Sequence, residues 1–325
     1  KMKFRTELQI QKSDINISYS DSLILLGSCF SENLGNKLNQ IKYPTTVNPL
    51  GIVYHPLPLH NSILGAIQGK KIDKSDLNEN IDGQYTAWNV HSRLSSLDAE
   101  ETISQMNNGI RQLCKSIKKA NYLILTYGTA YYYDHKLYGP VANCHKFPST
   151  DFKKKLSNPA ELNSSFNEMY TKVKEVNANI KLVLTVSPVR HIKDGLVENN
   201  RSKAHLLTAV HQICDQHNDC HYLPSYELLL DDLRDYRFYA DDMIHPSTKA
   251  IDYIWKKISC QILDPAEKRL RENIIKIVRA ASHRPFNGDS VQHAKFTTSQ
   301  NTAIKKILVA YPQLDFAEEI KAFKN

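Results

Sequence analysis

Leu23-Ile24-Leu25-Leu26-Gly27-Ser28-Cys29-Phe30-Ser31-Glu32-Asn33-Leu34 is the stretch from which the fold can be read. Its four consecutive apolar residues predict a strand buried on both faces, ended by Gly27, where the chain turns and a Cβ would be in the way. Leu34, Leu38 and Ile41 then repeat at i, i+4 and i+7, so residues 32–41 are expected to form a helix with one face on the sheet that contains the strand. A hydroxyl and a thiol, Ser28 and Cys29, stand between strand and helix, where free backbone N–H groups and the positive end of the helix dipole favour an anion. A thiol there is expected to have a lowered pKa. The same two residues also fit a helix cap beside a small buried cysteine.

Further strands of the same kind are predicted at 45–47, 122–126, 182–186 and 221–223, each ending in small or polar residues. Helical periodicity fills most of the gaps, over 59–68, 100–119, 158–176 and 203–217, with another helix at 248–263. This alternation predicts an α/β fold, a mainly parallel five-stranded sheet between helices in an α/β/α sandwich. Residues 1–264 read as one such domain, interrupted at about 71–96 by an inserted excursion whose Asp82-Gly83 suits a hairpin turn and which could cover a site. Beyond Pro265, residues 265–325 read as a helical extension packed on that domain, with a loop at His283-Arg-Pro-Phe-Asn-Gly288.

The bulk composition narrows the functional classes. Lysine and arginine number 42 against 34 acidic residues, a formal charge of +8. The basic clusters Lys153-Lys154-Lys155 and Lys70-Lys71 are short and carry no interleaved aromatics, so they read as solvated surface, and no nucleic-acid partner is expected. An anionic small substrate fits the charge. No apolar run reaches the length of a membrane span and no signal-peptide core follows Lys1-Met2-Lys3, so a cytoplasmic chain with no membrane insertion is expected, Met2 being the expected start. The six cysteines, at 29, 114, 144, 214, 220 and 260, are too sparse for a disulfide scaffold. Cys214, His217, Cys220 and His221 lie close enough for zinc, but no paired C-x-x-C knuckle is present and Cys214 falls on a helix's apolar register. No metal is expected, and a chelator should leave the melting temperature unchanged.

Ligands of parallel sheets bind at the carboxyl ends of the strands. After the five strand regions come Ser28 and Cys29; Asn48 and Gly51; Gly128, Thr129 and Ala130; Arg190 and His191; and, before the last core helix, Asp242-Met-Ile-His245. The Asp-x-x-His spacing matters because a carboxylate three residues away in a turn can hold one imidazole nitrogen and leave the other free as a base. A nucleophile on the first strand-to-helix turn completes a nucleophile, Asp, His order. Cys29 and His245 are therefore expected to face one cleft. Arg190 and His191 suit a substrate carboxylate or phosphate, although an internal pairing of Arg190 with Asp235 or Asp242 fits equally well. His145 and Lys146 either line the site or cap a loop. Tyr131, Tyr132 and Tyr133 read as strand or loop packing, and Trp88 and His91 as either a lid over a sugar ring or core.

Gly27-Ser28-Cys29-Phe30-Ser31 resembles the motif that names the GSCFA family, with Ser31 in place of its final Ala. Asn143-Cys-His145-Lys146, Ser187-Pro-Val-Arg190-His191, Asp235-Tyr-Arg-Phe-Tyr239 and Asp242-Met-Ile-His245-Pro are similar to further blocks of that family, so the resemblance runs from about Phe4 to the C-terminal helices. The family is grouped by similarity with the SGNH (GDSL-type) hydrolases, which implies a flavodoxin-like three-layer fold and acyl hydrolysis or transfer. Carried onto this chain, the resemblance puts Cys29 on the nucleophile position, Ser28 beside it, Gly51 on an oxyanion donor, and Asp242 with His245 on the Asp-x-x-His block. Gly128-Thr129-Ala130 meets a block whose oxyanion Asn is missing here, which leaves Asn48 or Asn143 to donate.

The resulting expectation is an acyl-ester hydrolase or acyltransferase acting on a small-molecule or carbohydrate acyl substrate, with carbohydrate-linked acyl groups implied by resemblance alone. Cys29 would attack the carbonyl, His245 would take its proton, Asp242 would orient His245, and the N–H groups of Cys29 and Gly51 would hold the oxyanion. No metal or organic cofactor is required. Thr129, Asn143, His145, Arg190 and His191 stay as candidate binding residues. The competing expectation, favoured by the altered nucleophile and missing Asn, is a degenerate fold that binds a glycan or metabolite without turnover. Cys29 is expected to react with iodoacetamide faster than Cys114 or Cys260, whose apolar registers suggest burial.

Overall fold

The structure, a computed structural model, describes residues 5–10, 14–282 and 291–323. The loop expected at 283–288 lies outside the described residues. The chain runs β1 (Leu23–Gly27), α1 (Cys29–Gln40), β2 (Thr45–Val47) and α2 (Pro56–Ile67), then a small hairpin of β3 (Asn78–Glu79) and β4 (Tyr85–Thr86). α3 (Ala99–Ile117) and β5 (Tyr122–Tyr127) lead into an antiparallel trio, β6 (Tyr131–His135), β7 (Gly139–Val141) and β8 (Phe152–Leu156). α4 (Pro159–Val176), β9 (Lys181–Val186), α5 (Leu196–Gln216) and β10 (Cys220–Leu223) complete the alternation. α6 (Ser225–Glu227) continues into a π-helical turn over Leu228–Leu233, followed by α7 (Thr248–Ile262), α8 (Lys268–Ser282), α9 (Val291–Ala310) and α10 (Ala317–Ala322).

The five expected strands form one parallel sheet in the order β10-β9-β5-β1-β2. Alternate residues of β1 enter two separate cores, as the two-residue period of a strand requires. Ile24 and Leu26 pack with Ile63 of α2, Met106 of α3, Phe166 of α4 and Leu206 of α5. Leu23 and Leu25 pack with Leu34 of α1, Ile254 of α7, Ile274 of α8 and Ile304 of α9. Both faces of the sheet are thus flanked by helices, and the C-terminal helices share the second core. The strand order reverses between β1 and β5, and such a switch point opens a crevice at the strands' carboxyl ends.

Gly27 ends β1 at φ 125°, and a Cβ there would lie 2.1 Å from the carbonyl oxygen of Thr126 on β5. The absence of a side chain is therefore what lets the first turn of the site sit against its neighbouring strand.

Two elements differ from the sequence expectation. α5 starts two turns earlier than 203, because its first inward residues are the buried polar Asn199, Ser202 and Lys203, which break the apolar period. The basic run at 153–155 lies inside a strand, β8, held by antiparallel pairing with β6 even though lysine has little strand preference of its own. Of the two readings of Trp88, lid or core, the buried position fits core: it packs at tilted and edge-on angles among His135, His145, Phe147 and Phe152 of the antiparallel lobe. The hairpin at Asp82-Gly83 forms as expected, with Gly83 at φ 72°.

Candidate active site

Ser28 is the N-cap of α1, fully buried, and its hydroxyl accepts the N–H of Phe30 at 3.3 Å. Its own N–H donates to Thr126 at 3.0 Å. Cys29, the first helical residue, is half-buried and forms no disulfide. Burial pushes the Cys29 thiol above its ordinary value and Glu32 adds to the rise. The N–H groups of Cys29 and Phe30, together with Lys203, act in the opposite direction without overcoming it. The lowered pKa expected at a helix N-terminus is therefore corrected: one helical turn further on, Glu32 faces the same thiol, and desolvation exceeds what the free N–H groups supply.

Asp242 and His245 are joined through their side chains. Asp242 Oδ2 lies 2.7 Å from His245 Nδ1, while Oδ1 accepts the N–H groups of Ile244 at 2.8 Å and His245 at 2.9 Å. The carboxylate is at once the cap of its turn and the partner of the imidazole. These bonds, the His245 N–H first among them, hold the Asp242 carboxyl down at about 2. The turn is closed by Ala240 donating to the His245 carbonyl at 2.8 Å, with Met243 at φ 57°.

His245 is on the rim of a cavity of about 790 Å³ at the carboxyl ends of the strands. Thr129, Asn143, Arg190 and His191 line the same cavity; Ser28, Cys29, Asn48, Gly51 and His145 are not on its walls. Burial raises the phenol of Tyr54, a wall residue, and Cys29 adds to that rise.

The model of the GSCFA family matches residues 22–258, and the model described as GSCFA domain protein, C-terminal domain, matches residues 274–325. The chain belongs to the GSCFA family. No curated protein matches it. Among the described residues no helix is long and apolar enough to cross a membrane.

In this GSCFA chain the remaining candidates take distinct places. Asn48, buried at φ 41°, accepts the Gly27 N–H on Oδ1 at 2.9 Å, which orients its amide; Nδ2 is buried with no hydrogen-bond partner. The Gly51 N–H donates to the Asn48 carbonyl at 2.8 Å, so it closes the turn, and a Cβ on Gly51 would meet His91 Cβ at 2.2 Å. Thr129 Oγ1 accepts the Tyr131 N–H at 3.0 Å and pairs with Ser202 Oγ at 3.1 Å. Asn143 Oδ1 accepts the His145 N–H at 2.8 Å. His145 is buried, bonds the Ala87 carbonyl through Nε2 at 2.9 Å, and is driven down to about 4 by burial, so it ties the inserted excursion to the lobe. His191 is pushed down to about 3, chiefly by burial, and its Nε2 has no partner. The internal pairing considered for Arg190 does not form: Asp235 takes Arg237 and Asp242 takes His245.

The cysteines and histidines weighed for zinc do not converge. His217 Nε2 pairs with Asn167 at 2.8 Å and its ring lies 4.1 Å from that of Tyr170, while Cys214 packs against the first core. Among the described residues no group of three or more His, Cys, Asp or Glu could hold a metal ion.

Two site residues were not singled out from the sequence. Lys203 of α5 is 1% exposed and donates from Nζ to the carbonyls of Gly128 at 2.6 Å and Ser187 at 2.7 Å, the residues that follow β5 and β9. Burial brings it down to about 7, while Cys29 acts to raise it. Its signal was a lysine one step N-terminal of Leu206, Val210 and Ile213 on their own register. Arg93 of the excursion reaches Glu32 at 2.6 Å and the Asn48 carbonyl, pinning that segment to the first and second strand ends. No local pattern marks it.

Proposed function

We propose that this GSCFA protein is an acyl-ester hydrolase or acyltransferase of the SGNH type acting on acylated carbohydrate. The observation that carries the reading is the 2.7 Å contact between Asp242 Oδ2 and His245 Nδ1 at the rim of the large cavity. That contact fixes the tautomer with its proton on Nδ1 and leaves Nε2 as the base. Cys29 is favoured over Ser28 as nucleophile because the Ser28 hydroxyl is buried as a helix cap and the thiol is half-buried.

In this reaction Cys29 Sγ transfers its proton to His245 Nε2 and forms a bond to the acyl carbon. The carbonyl π electrons move to oxygen, and the N–H of Cys29 with Asn48 Nδ2 holds that oxyanion; the orphaned, oriented amide of Asn48 supports the assignment. Collapse breaks the bond to the alcohol oxygen, which leaves with the proton from His245 and creates a thioester on Cys29. Water or an acceptor hydroxyl then gives its proton to His245 and attacks the thioester; collapse breaks the C–S bond, the acyl product leaves, and His245 passes its proton to Sγ to return the thiol. Because the resting thiol is largely protonated, proton transfer to His245 accompanies attack and does not precede it.

A panel of p-nitrophenyl esters and acyl thioesters tests the proposal. Turnover that disappears in Cys29→Ala and His245→Ala, with the double variant no slower than either single one, is the expected result, since residues of one catalytic unit are non-additive. The raised thiol pKa and the position of Cys29 off the cavity wall favour a second reading, a binding fold without turnover. Saturable glycan binding with every ester untouched would establish it instead.

A further inference from the structure

The charges on the cavity walls are unequal. Lys154, Arg190 and Lys193 line it against one carboxylate, Asp194, and that carboxylate pairs with Lys154. Among the described residues no carboxylate lies within ion-pair distance of Arg190 or Lys193. The Arg190 guanidinium is instead stacked 4.1 Å from the ring centre of Tyr239 and 5.0 Å from that of Tyr236. Stacking holds the plane of a guanidinium while leaving donors at its edge. The Arg190 N–H bonds the Ile244 carbonyl at 3.2 Å, one residue before His245, so the fork and the imidazole are carried by two loops tied together. Tyr131, Tyr132 and Tyr133 also line the cavity, with the Lys154 ammonium over the rings of Tyr131 and Tyr133 at 5.1 and 5.6 Å and the Tyr132 ring against His55, so they form an aromatic wall beside the cations.

We infer that the ligand of this cavity is an anion: a carbohydrate or similarly sized ester that lies against the tyrosine wall and whose carboxylate or phosphate is held by Arg190 and Lys193 beside His245. Two uncompensated cations in a walled site raise the local concentration of such a ligand and bind its acid group by charge-assisted hydrogen bonds. The acyl-transfer role of the ligand rests on the function proposed above; its charge does not.

The experiment is calorimetric titration of the intact chain with three ring-matched probes, p-nitrophenyl glucoside, p-nitrophenyl glucuronide and the 6-phosphate of p-nitrophenyl glucoside. At least one anionic probe is expected to bind about tenfold or more tighter than the neutral glucoside, and to weaken as salt is raised. Which of the two it is distinguishes a carboxylate from a phosphate ligand. Arg190→Gln should remove most of that preference. Lys193→Gln, at an exposed side chain that the fold does not need, should reduce it in a protein of unchanged melting temperature. Equal binding of all three probes, or a preference unaltered in Lys193→Gln and Arg190→Gln, overturns the inference. Anion binding without ester turnover retains the inference and removes the acyl-transfer reading, whereas turnover of neutral esters by a protein with no anion preference does the reverse.

Discussion

Asp242 grips His245 twice, through Oδ2 to the ring at 2.7 Å and through Oδ1 to the backbone N–H at 2.9 Å. One carboxylate thus sets both the fold of the turn and the orientation of the base. Asp242→Asn keeps an acceptor for the backbone but replaces the charge that stabilises an imidazolium. Acyl turnover is expected to fall by about two to four orders of magnitude with little change in KM. An unchanged kcat would reduce Asp242 to a cap. Because its folded pKa is depressed to about 2 from the usual 3.8, the stability that Asp242 contributes is present above pH 3.8 and is lost as pH falls towards 2.

The Cys29 thiol should be a slow target at neutral pH. Cys260 is exposed, contrary to its apolar register, and is expected to be alkylated by iodoacetamide before Cys29. The rate at Cys29 should climb with pH past the ordinary thiol range. Glu32→Gln removes one of the two causes of the raised pKa and should accelerate labelling at pH 7, as peptide mapping would show. Labelling of Cys29 ahead of Cys260 in the wild-type chain would contradict the burial argument. Ser28→Ala should leave ester turnover largely intact and cost about 1 kcal/mol of stability through the lost cap.

Lys203→Met tests the buried cation behind the site. It removes the charge that favours the Cys29 thiolate, so labelling of Cys29 should slow further. The folded-state pKa of Lys203 is lowered to about 7 from 10.5, so between these values the unfolded chain binds more protons and stability rises with pH. Urea denaturation across that range should show this rise in the wild-type chain and a flatter profile in the variant. Parallel profiles would assign the slope to other groups.

Gly27→Ala should be among the most damaging small substitutions in the chain. A Cβ would meet Thr126 backbone oxygen at 2.1 Å, at a φ of 125° that side chains avoid. A loss of about 3 kcal/mol or more is expected by chemical denaturation. Gly69 also has a positive φ, 70°, but nothing lies within 4 Å of its added Cβ, so Gly69→Ala should cost only about 1 kcal/mol. Similar losses at the two positions would mean that the clash at Gly27 is relieved by backbone movement.

The centre of the sheet was legible before the structure because β1 and β5 are buried on both faces. Such strands are written as short unbroken apolar runs, and Leu23 to Leu26 and the stretch at 122–126 leave little alternative. The Asp242 and His245 pair was legible for a different reason: its geometry is local, three residues in one turn, and needs nothing from the rest of the chain. Gly27 likewise announced a turn, although not the strand it presses against.

Tertiary structure decided whatever depends on desolvation or on partners distant in sequence. Cys29 sits at the helix N-terminus that the sequence predicts, yet burial and Glu32 set its charge against the dipole. Gly51 offers a bare backbone, yet its N–H is taken by the Asn48 carbonyl, and it is the side-chain Nδ2 of Asn48 that remains unpartnered instead. Lys203 reads as one basic residue among 42 until the fold brings its ammonium onto the carbonyls of Gly128 and Ser187. Local pattern determines which segments become strands and helices, since backbone geometry and side-chain period act over a few residues. Desolvation, and contacts such as the one that brings Lys203 to Gly128 across 75 residues, arise only when the chain is folded, and only the folded chain holds that information.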